Sequence, residues 1–244
     1  MTRMELALQV VALVVATFGT AALSAIAGFG GGVLLLPVFV AVLGARDAVA
    51  VLTVAQLAGN GSRVWFNRHE VDRRLVGVFA LGAVPAAAAG ALLFATAPLP
   101  ALTRAIGVFL LIMVAWRRWK PQAARLDDTA FTVVGAASGF GSALVGSVGP
   151  MVAPFFLSRG LRKGAYIGTE AAAAVVMHVT KLVVFGAAAV LTASSAAIGL
   201  GLAPAATAGA WVGKKTVDRL PAHVFLLVVE IGLIVSGLLL TVTG

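Results

Sequence analysis

The sequence predicts an all-α polytopic membrane protein built as an inverted repeat, each half a re-entrant broken hairpin plus three transmembrane helices. Three observations predict it. The 244 residues are 61% apolar with a mean hydropathy of +1.05, against about 45–50% apolar in soluble domains. The stretch GFGGGVLLLPVFVAVLG (28–44) is echoed by VGSVGPMVAPFFLSRG (145–160), with Pro37 matching Pro154 and Gly32 matching Gly149, both 117 residues apart. Finally, 14 of the 18 Lys and Arg residues fall in four short clusters.

The duplication extends beyond the glycines. VPAAAAGALL (84–93) matches APAATAGAWV (203–212), pairing Pro85 with Pro204 and Gly90 with Gly209. Pro100 and Pro221 then open the last helix of each half. The repeats are 1–127 and 128–244, together one integral membrane domain of a kind that marks transporter folds.

In the first half, apolar limbs at about 11–27 and 33–43 flank the glycine break, and helices follow near 47–66, 75–96 and 101–119. In the second half the limbs are 129–145 and 150–158, and the helices 165–185, 190–212 and 222–243. A limb of roughly 9–13 residues covers about 14–20 Å of helix, half of a ~30 Å hydrocarbon core. The breaks are therefore expected near the midplane, one from each side, where the two tips can meet.

Charge sets the topology. The clusters are Arg63, Arg68, Arg73 and Arg74; Arg117, Arg118, Lys120 and Arg125; Arg159, Arg162 and Lys163; and Lys214, Lys215 and Arg219. If each limb pair crossed the membrane once, the last two clusters would fall outside, against the positive-inside bias. If each pair is re-entrant, all four face the cytoplasm. A re-entrant pair plus three spans is an odd number of crossings, so the halves are inverted and both termini lie outside. Six full spans and two re-entrant hairpins result, in a cell membrane, the bacterial inner membrane. The net charge of +9 then belongs to cytoplasmic loops rather than to nucleic-acid binding. With no cysteine, disulfides and thiol chemistry are excluded. The first 27 residues end in SAIA and resemble a secretory signal, but the pattern recurs mid-chain, where none can sit.

Non-helical backbone at mid-depth is tolerated only where protein buries it or a wet cavity faces it. The second limbs begin at Gly32 and Gly149-Pro150, where helix N-termini present amides and a positive dipole end. Such ends bind anions. Gly32, Gly149 and Pro150, with the Ser147 hydroxyl beside them, are thus expected to form an anion cradle. The competing reading is that the glycines only let helices pack closely, which suits AAAAG at 86–90. A dinucleotide loop fails, because no strand precedes it and the glycine spacing is wrong.

These segments, with IGTEAAAA at 167–174 and NRHEVDRRLVGVFALGAVPAAAAGALL, resemble the TauE/SafE family of sulfite exporter-like permeases over nearly the whole chain. The resemblance implies export of sulfite, sulfoacetate or other small organosulfur anions, with Gly30, Gly31, Gly32, Ser147, Gly149 and Pro150 at the matching tip positions. The family's Gly-Thr-Ser run after each hairpin is replaced here by VLTV in the first half and GTEA in the second.

Ionisable groups inside membrane helices are functional candidates by default. Gln56, Asn60 and Arg63 share one helix face by their i, i+4, i+7 spacing. The matching helix of the second half carries Thr169, Glu170, His178 and Lys181, and His178 and Lys181 echo Asn60 and Arg63 at an offset of 118. Gln56, Asn60, Thr169 and His178 read as substrate-binding residues, and Arg63, Glu170, Lys181 and Glu230 as gating or proton-coupling ones. Structural readings compete with each. Arg63 and Lys181 are equally expected as snorkelling anchors, Gln56 and Asn60 as bonds between helices, His178 as a satisfied core residue and Glu170 as a local partner of the Lys163 cluster. Glu230, nine residues into the last helix, breaks the symmetry.

The function expected is a secondary permease exporting a small anion, since the membrane potential expels anions with about 2.3 kcal/mol per charge per 100 mV. An anion channel of the same architecture, or an importer or proton-coupled carrier of small carboxylates, stays open. An enzyme is not expected: there are three histidines, no cysteine and no HExxH. No cofactor or metal is called for. The partners expected are a small anion and the bilayer, with a homodimer left open and no nucleic acid.

Overall fold

The computed structural model describes residues 3–27, 31–119, 126–161, 163–216, 234–235 and 237–242. Among them are nine helices and no strand: α1 (Arg3–Ala27), α2 (Gly32–Leu43), α3 (Ala45–Phe66), α4 (Arg73–Thr96), α5 (Leu99–Trp119), α6 (Asp128–Val145), α7 (Gly149–Ser158), α8 (Lys163–Ala187) and α9 (Ala193–Thr216). Of these, α1, α4, α5, α8 and α9 are long and apolar enough to cross a membrane. Residues 237–242 are helical and lie on α5, where Gly237 and Thr241 meet Gly107. Most of the helix expected at 222–243 lies outside the described residues.

Two expectations are corrected. The first limb of the first half is longer than the 11–27 expected: α1 has 25 residues, about 37 Å, whereas α6, with 18 residues and about 27 Å, falls within one residue of the expected 129–145. Only α2, with 12 residues, and α7, with 10, are short, at about 18 and 15 Å. The cause is packing. α1 lies along α9, and α6 along α4. A Cβ on Gly209 or Gly213 would overlap the carbonyl of Phe18 or Ala22, and one on Gly82, Gly135 or Gly139 that of Thr132, Phe79 or Ala83. Backbones this close supply contact along the whole helix, so nothing halts the first limb at mid-depth. Gly90 meets Phe140 and Ala143 in the same interface.

The second correction concerns α3. At 22 residues it is long enough to span, but it is not among the apolar spanning helices. Gln56, Asn60 and Arg63 lower its hydropathy. It carries them because α2, α8 and α9 wrap it, so its polar face meets protein rather than lipid.

Polar contacts fix which helix ends share a face. Asp128, opening α6, pairs with Arg159 just after α7 at 2.6 Å and with Arg74 of α4 at 2.5 Å. Arg159 also donates to the Leu126 carbonyl. The α6–α7 hairpin therefore leaves on the side it entered. Lys214 at the end of α9 donates to the Phe66 carbonyl at the end of α3 (2.7 Å), and Gly164 lies against Glu70. Arg74, Arg159 and Lys214, from three of the basic clusters, thus sit on one face; Arg162, Arg219 and positions 120–125 lie outside the described residues. On the opposite face, Gly44 (φ 78°) turns the chain from α2 into α3, and Arg46 donates to the Ala97 carbonyl at 2.7 Å. At the centre α3 and α8 run antiparallel: Asn60 meets His178, Arg63 meets Glu170, and Asn67 meets Gly168.

Candidate functional site

The tips meet. A Cβ on Gly32 would lie 2.6 Å from Ser147 Cβ and 3.0 Å from Gln56 Nε2. Only a residue without a side chain lets the start of α2 approach the connection between α6 and α7 so closely. Gly31, the N-cap of α2, is pressed against Thr20 and Ser24 of α1, so α2 starts beside α1 rather than beyond its end. Val148 is the N-cap of α7, with Gly149 buried and Pro150 in the first turn, where a missing N–H costs no hydrogen bond. Pro150 is half-buried. Gly30 and Glu230 lie outside the described residues.

Gly146 closes α6 with φ 84°, a conformation that favours glycine. Lys181, fully buried, donates to the Gly146 carbonyl at 2.9 Å, the Ser142 carbonyl at 3.1 Å and the Ser142 hydroxyl at 3.0 Å. A cation there satisfies the orphan carbonyls of the helix end and its negative dipole. Lys181 does not snorkel outward. Among the described residues no carboxylate pairs with it.

Arg63 does not snorkel either. Its Nη2 donates to Glu170 Oε2 at 2.8 Å, with the two side chains 3% and 4% exposed. Glu170 therefore pairs across the α3–α8 contact with Arg63 rather than locally with the Lys163 cluster. Arg63 Nη1 donates to Asn60 Oδ1 at 2.8 Å. Asn60 Nδ2 reaches Gln56 Oε1 at 3.4 Å and His178 Nε2 at 3.2 Å. One polar chain thus runs Glu170–Arg63–Asn60 and forks to Gln56, beside the first tip, and to His178, beside the second.

Thr169 falls elsewhere. Its hydroxyl accepts from the Asp72 N–H at 2.9 Å, and Asp72 in turn caps α4 through Leu75 N–H. It faces the 67–72 turn because that is the side of α8 near the basic face, and it secures that turn instead of lining the tips.

Small cavities flank the chain. One, about 20 Å³, is lined by Thr17, Ser24, Gln56, Asn60 and Arg63. Another, about 10 Å³, is lined by Asn60, Ser142, Ser147, Gly149, Glu170 and His178. Each holds about one water, so the protein is closed around its tips. A vestibule of about 250 Å³ on the basic face is lined by Arg63, Asn67, Glu70 and Lys214. Arg63 stands between vestibule and inner cavity.

Sequence reasoning passed over Ser142 and Gly146. The signal was available for Ser142, which follows Ser24 by 118 residues, the offset that links Asn60 to His178. Ser24 and Ser142 line matching cavities.

Compared with known proteins, residues 13–240 match the family model described as Sulfite exporter TauE/SafE. Neither the curated proteins nor the solved structures contain a significant match.

Proposed function

The chain belongs to the sulfite exporter TauE/SafE family, and from that premise we propose that it is a secondary permease that exports sulfite or an organosulfonate such as sulfoacetate through the junction of its two hairpin tips. The charge of Lys181 carries this reading. Arg63 and Glu170 cancel each other, while Lys181 is held by neutral oxygens alone among the described residues. An ammonium buried without a counter-charge costs several kcal/mol. An anion beside Ser147, Gly149 and His178 supplies that counter-charge, and the N-termini of α2 and α7 add to the attraction.

The two halves, 1–127 and 128–244, are inverted copies in this reading. The reciprocal packing of α1 on α9 and α6 on α4 supports it, as does the antiparallel crossing of α3 and α8. The shared face of the basic clusters supports a cytoplasmic assignment for that face, with both termini outside the bacterial inner membrane. Cavities of 10 to 20 Å³ are too small for a sulfur oxyanion, which favours a carrier whose hairpins part over an open channel. Opening toward the vestibule separates Arg63 from Glu170, the cytoplasmic gate.

The test is flux from sulfite-loaded proteoliposomes under an imposed potential, with sulfoacetate, methanesulfonate and small carboxylates as competitors. Saturable efflux that the potential accelerates is expected, and Lys181→Met lowers it about 10-fold or more, the scale of one charged hydrogen-bonding partner. Flux that no anion in the panel supports or inhibits overturns the assignment. Because the chain has no native cysteine, single cysteines at the exposed positions 47 and 160 report topology directly. They should label from opposite sides of the bilayer; labelling from the same side removes the re-entrant hairpins.

A further inference from the structure

We propose that His178 is a neutral hydrogen-bond donor to the transported anion through Nδ1–H, its tautomer fixed by the Glu170–Arg63–Asn60 chain. The inference rests on the anion reading above and goes beyond it, naming the donor atom and the residues that position it.

The argument is one of forced donors and acceptors. Arginine has no acceptor, so the Asn60 atom 2.8 Å from Arg63 Nη1 is the carbonyl oxygen. The Asn60 amide nitrogen therefore faces the other way, toward Gln56 Oε1 and His178 Nε2. An NH2 group only donates. His178 Nε2 must then offer a lone pair, and in the neutral ring the proton resides on Nδ1. That Nδ1 is buried and has no hydrogen-bond partner. The ring lines the small cavity that Ser147 and Gly149 also line. A buried donor without a partner, on a ring that lines a polar cavity, awaits an acceptor.

The same logic orients Gln56. Its Oε1 is occupied by Asn60, so its NH2 is turned toward Gly32, where a Cβ would lie 3.0 Å from Nε2. One carboxylate, Glu170, thus anchors a chain that presents a donor to each tip: Gln56 NH2 to the first and His178 Nδ1–H to the second. Donors on both sides of the junction suit a ligand with at least two unprotonated oxygens, as sulfonates and sulfite have. Asn60 and Arg63 are positioning residues here, acting through His178.

The test is 15N NMR of histidine-labelled protein in liposomes, with the His178 resonances identified by their loss in His178→Asn; the chain's other histidines are His69 and His223. The expected signal is a neutral ring with Nδ1 protonated and Nε2 bare, whose Nδ1 resonance moves when methanesulfonate is added. Asn60→Asp puts an acceptor opposite Nε2. It should transfer the proton to Nε2 and slow sulfite flux about 10-fold or more, as expected for losing a hydrogen bond to a charged group. An asparagine amide nitrogen falls near the Nδ1 position and a glutamine amide nearer Nε2, so His178→Asn should lose about 3-fold and His178→Gln about 30-fold. An Nε2–H tautomer in the unmodified protein, or equal losses in the two variants, overturns the inference and leaves the anion reading standing. An Nδ1–H tautomer that no anion in the panel shifts overturns the donor role, and the flux panel decides the anion reading separately.

Discussion

Arg63 and Lys181 stand 118 residues apart, at matching places on helices that pass each other antiparallel, and the protein uses them differently. Arg63 is tied to a carboxylate and an amide oxygen. Lys181 is tied to two carbonyls and a hydroxyl. The residue types fit these tasks. A planar guanidinium holds two acceptors in fixed directions, whereas an ammonium is a point charge that can gather three. The second half has a glutamate at 170, where the matching residue of the first half is Leu52. That difference neutralises one cation and leaves the other. The lesson is that a duplicated scaffold can compensate one of two matching cations and not the other; in the function proposed above, the second meets the anion and the first forms the gate.

The comparison is broken most completely by forcing the halves apart where they touch. Gly32→Leu drives a side chain into Ser147 and Gln56. Sulfite flux should fall about 100-fold or more, since even angstrom-scale misplacement of binding groups is costly. Gly19→Leu, at a glycine with open space around it, should retain flux. Normal flux in Gly32→Leu would remove the tips from the pathway.

The next largest effect separates the two cations by stability. Arg63→Met leaves Glu170 buried without its arginine, and breaking such a pair costs about 3–5 kcal/mol. Lys181→Met leaves the carbonyls of the α6 end unpaired, at about 1–3 kcal/mol. Thermal unfolding in detergent should therefore rank Arg63→Met as the more damaged protein, although in the function proposed above Lys181→Met is the variant that loses the charge facing the anion. The double variant Arg63→Met, Glu170→Met should recover much of the stability and none of the gating. A double variant as unstable as Arg63→Met alone would show that the pair is not the source.

Half of this contrast was legible in the sequence. The tips announced themselves because four glycines in an apolar run have no purely helical use, and because the run recurs. The polar face of α3 followed from helical spacing alone, and the Asn60–His178 and Arg63–Lys181 matches from the repeat. The Arg63–Glu170 pair was hidden, since it depends on the register at which α3 crosses α8 and no local pattern fixes that. The length of α1 was hidden for the opposite reason. Its apolar run carries no capping signal that marks where it begins, and the helix that packs along α9 runs back to Arg3. From the sequence Thr169 reads as a ligand because it shares a helix with Glu170, His178 and Lys181. Adjacent residues on a helix point about 100° apart, and that rotation sends Thr169 to the Asp72 turn.

The smallest effect sharpens the comparison at the hairpin bases. Asp128 and Arg159 clamp the second hairpin shut at 2.6 Å. The matching positions of the first hairpin are Val10, 118 residues before Asp128, and Val42, 117 residues before Arg159, and these cannot form such a clamp. The hydrogen bond from Arg159 leads in holding the Asp128 carboxyl below the usual carboxylate range, with the charges of Arg74 and Arg159 adding to it against a burial effect of opposite sign. A carboxyl depressed in the folded state stabilises above its unfolded value, about 3.9, and that contribution disappears as pH falls through the lower folded value. The site is solvent-exposed, so the effect is small and salt-sensitive. Hydrogen exchange should show the base of α6 and the end of α7 loosening below about pH 4, with α1 and α2 unchanged. Asp128→Asn should reproduce that loosening at neutral pH and abolish its pH dependence. Equal loosening of both hairpins in acid would mean that the difference in their bases has no consequence.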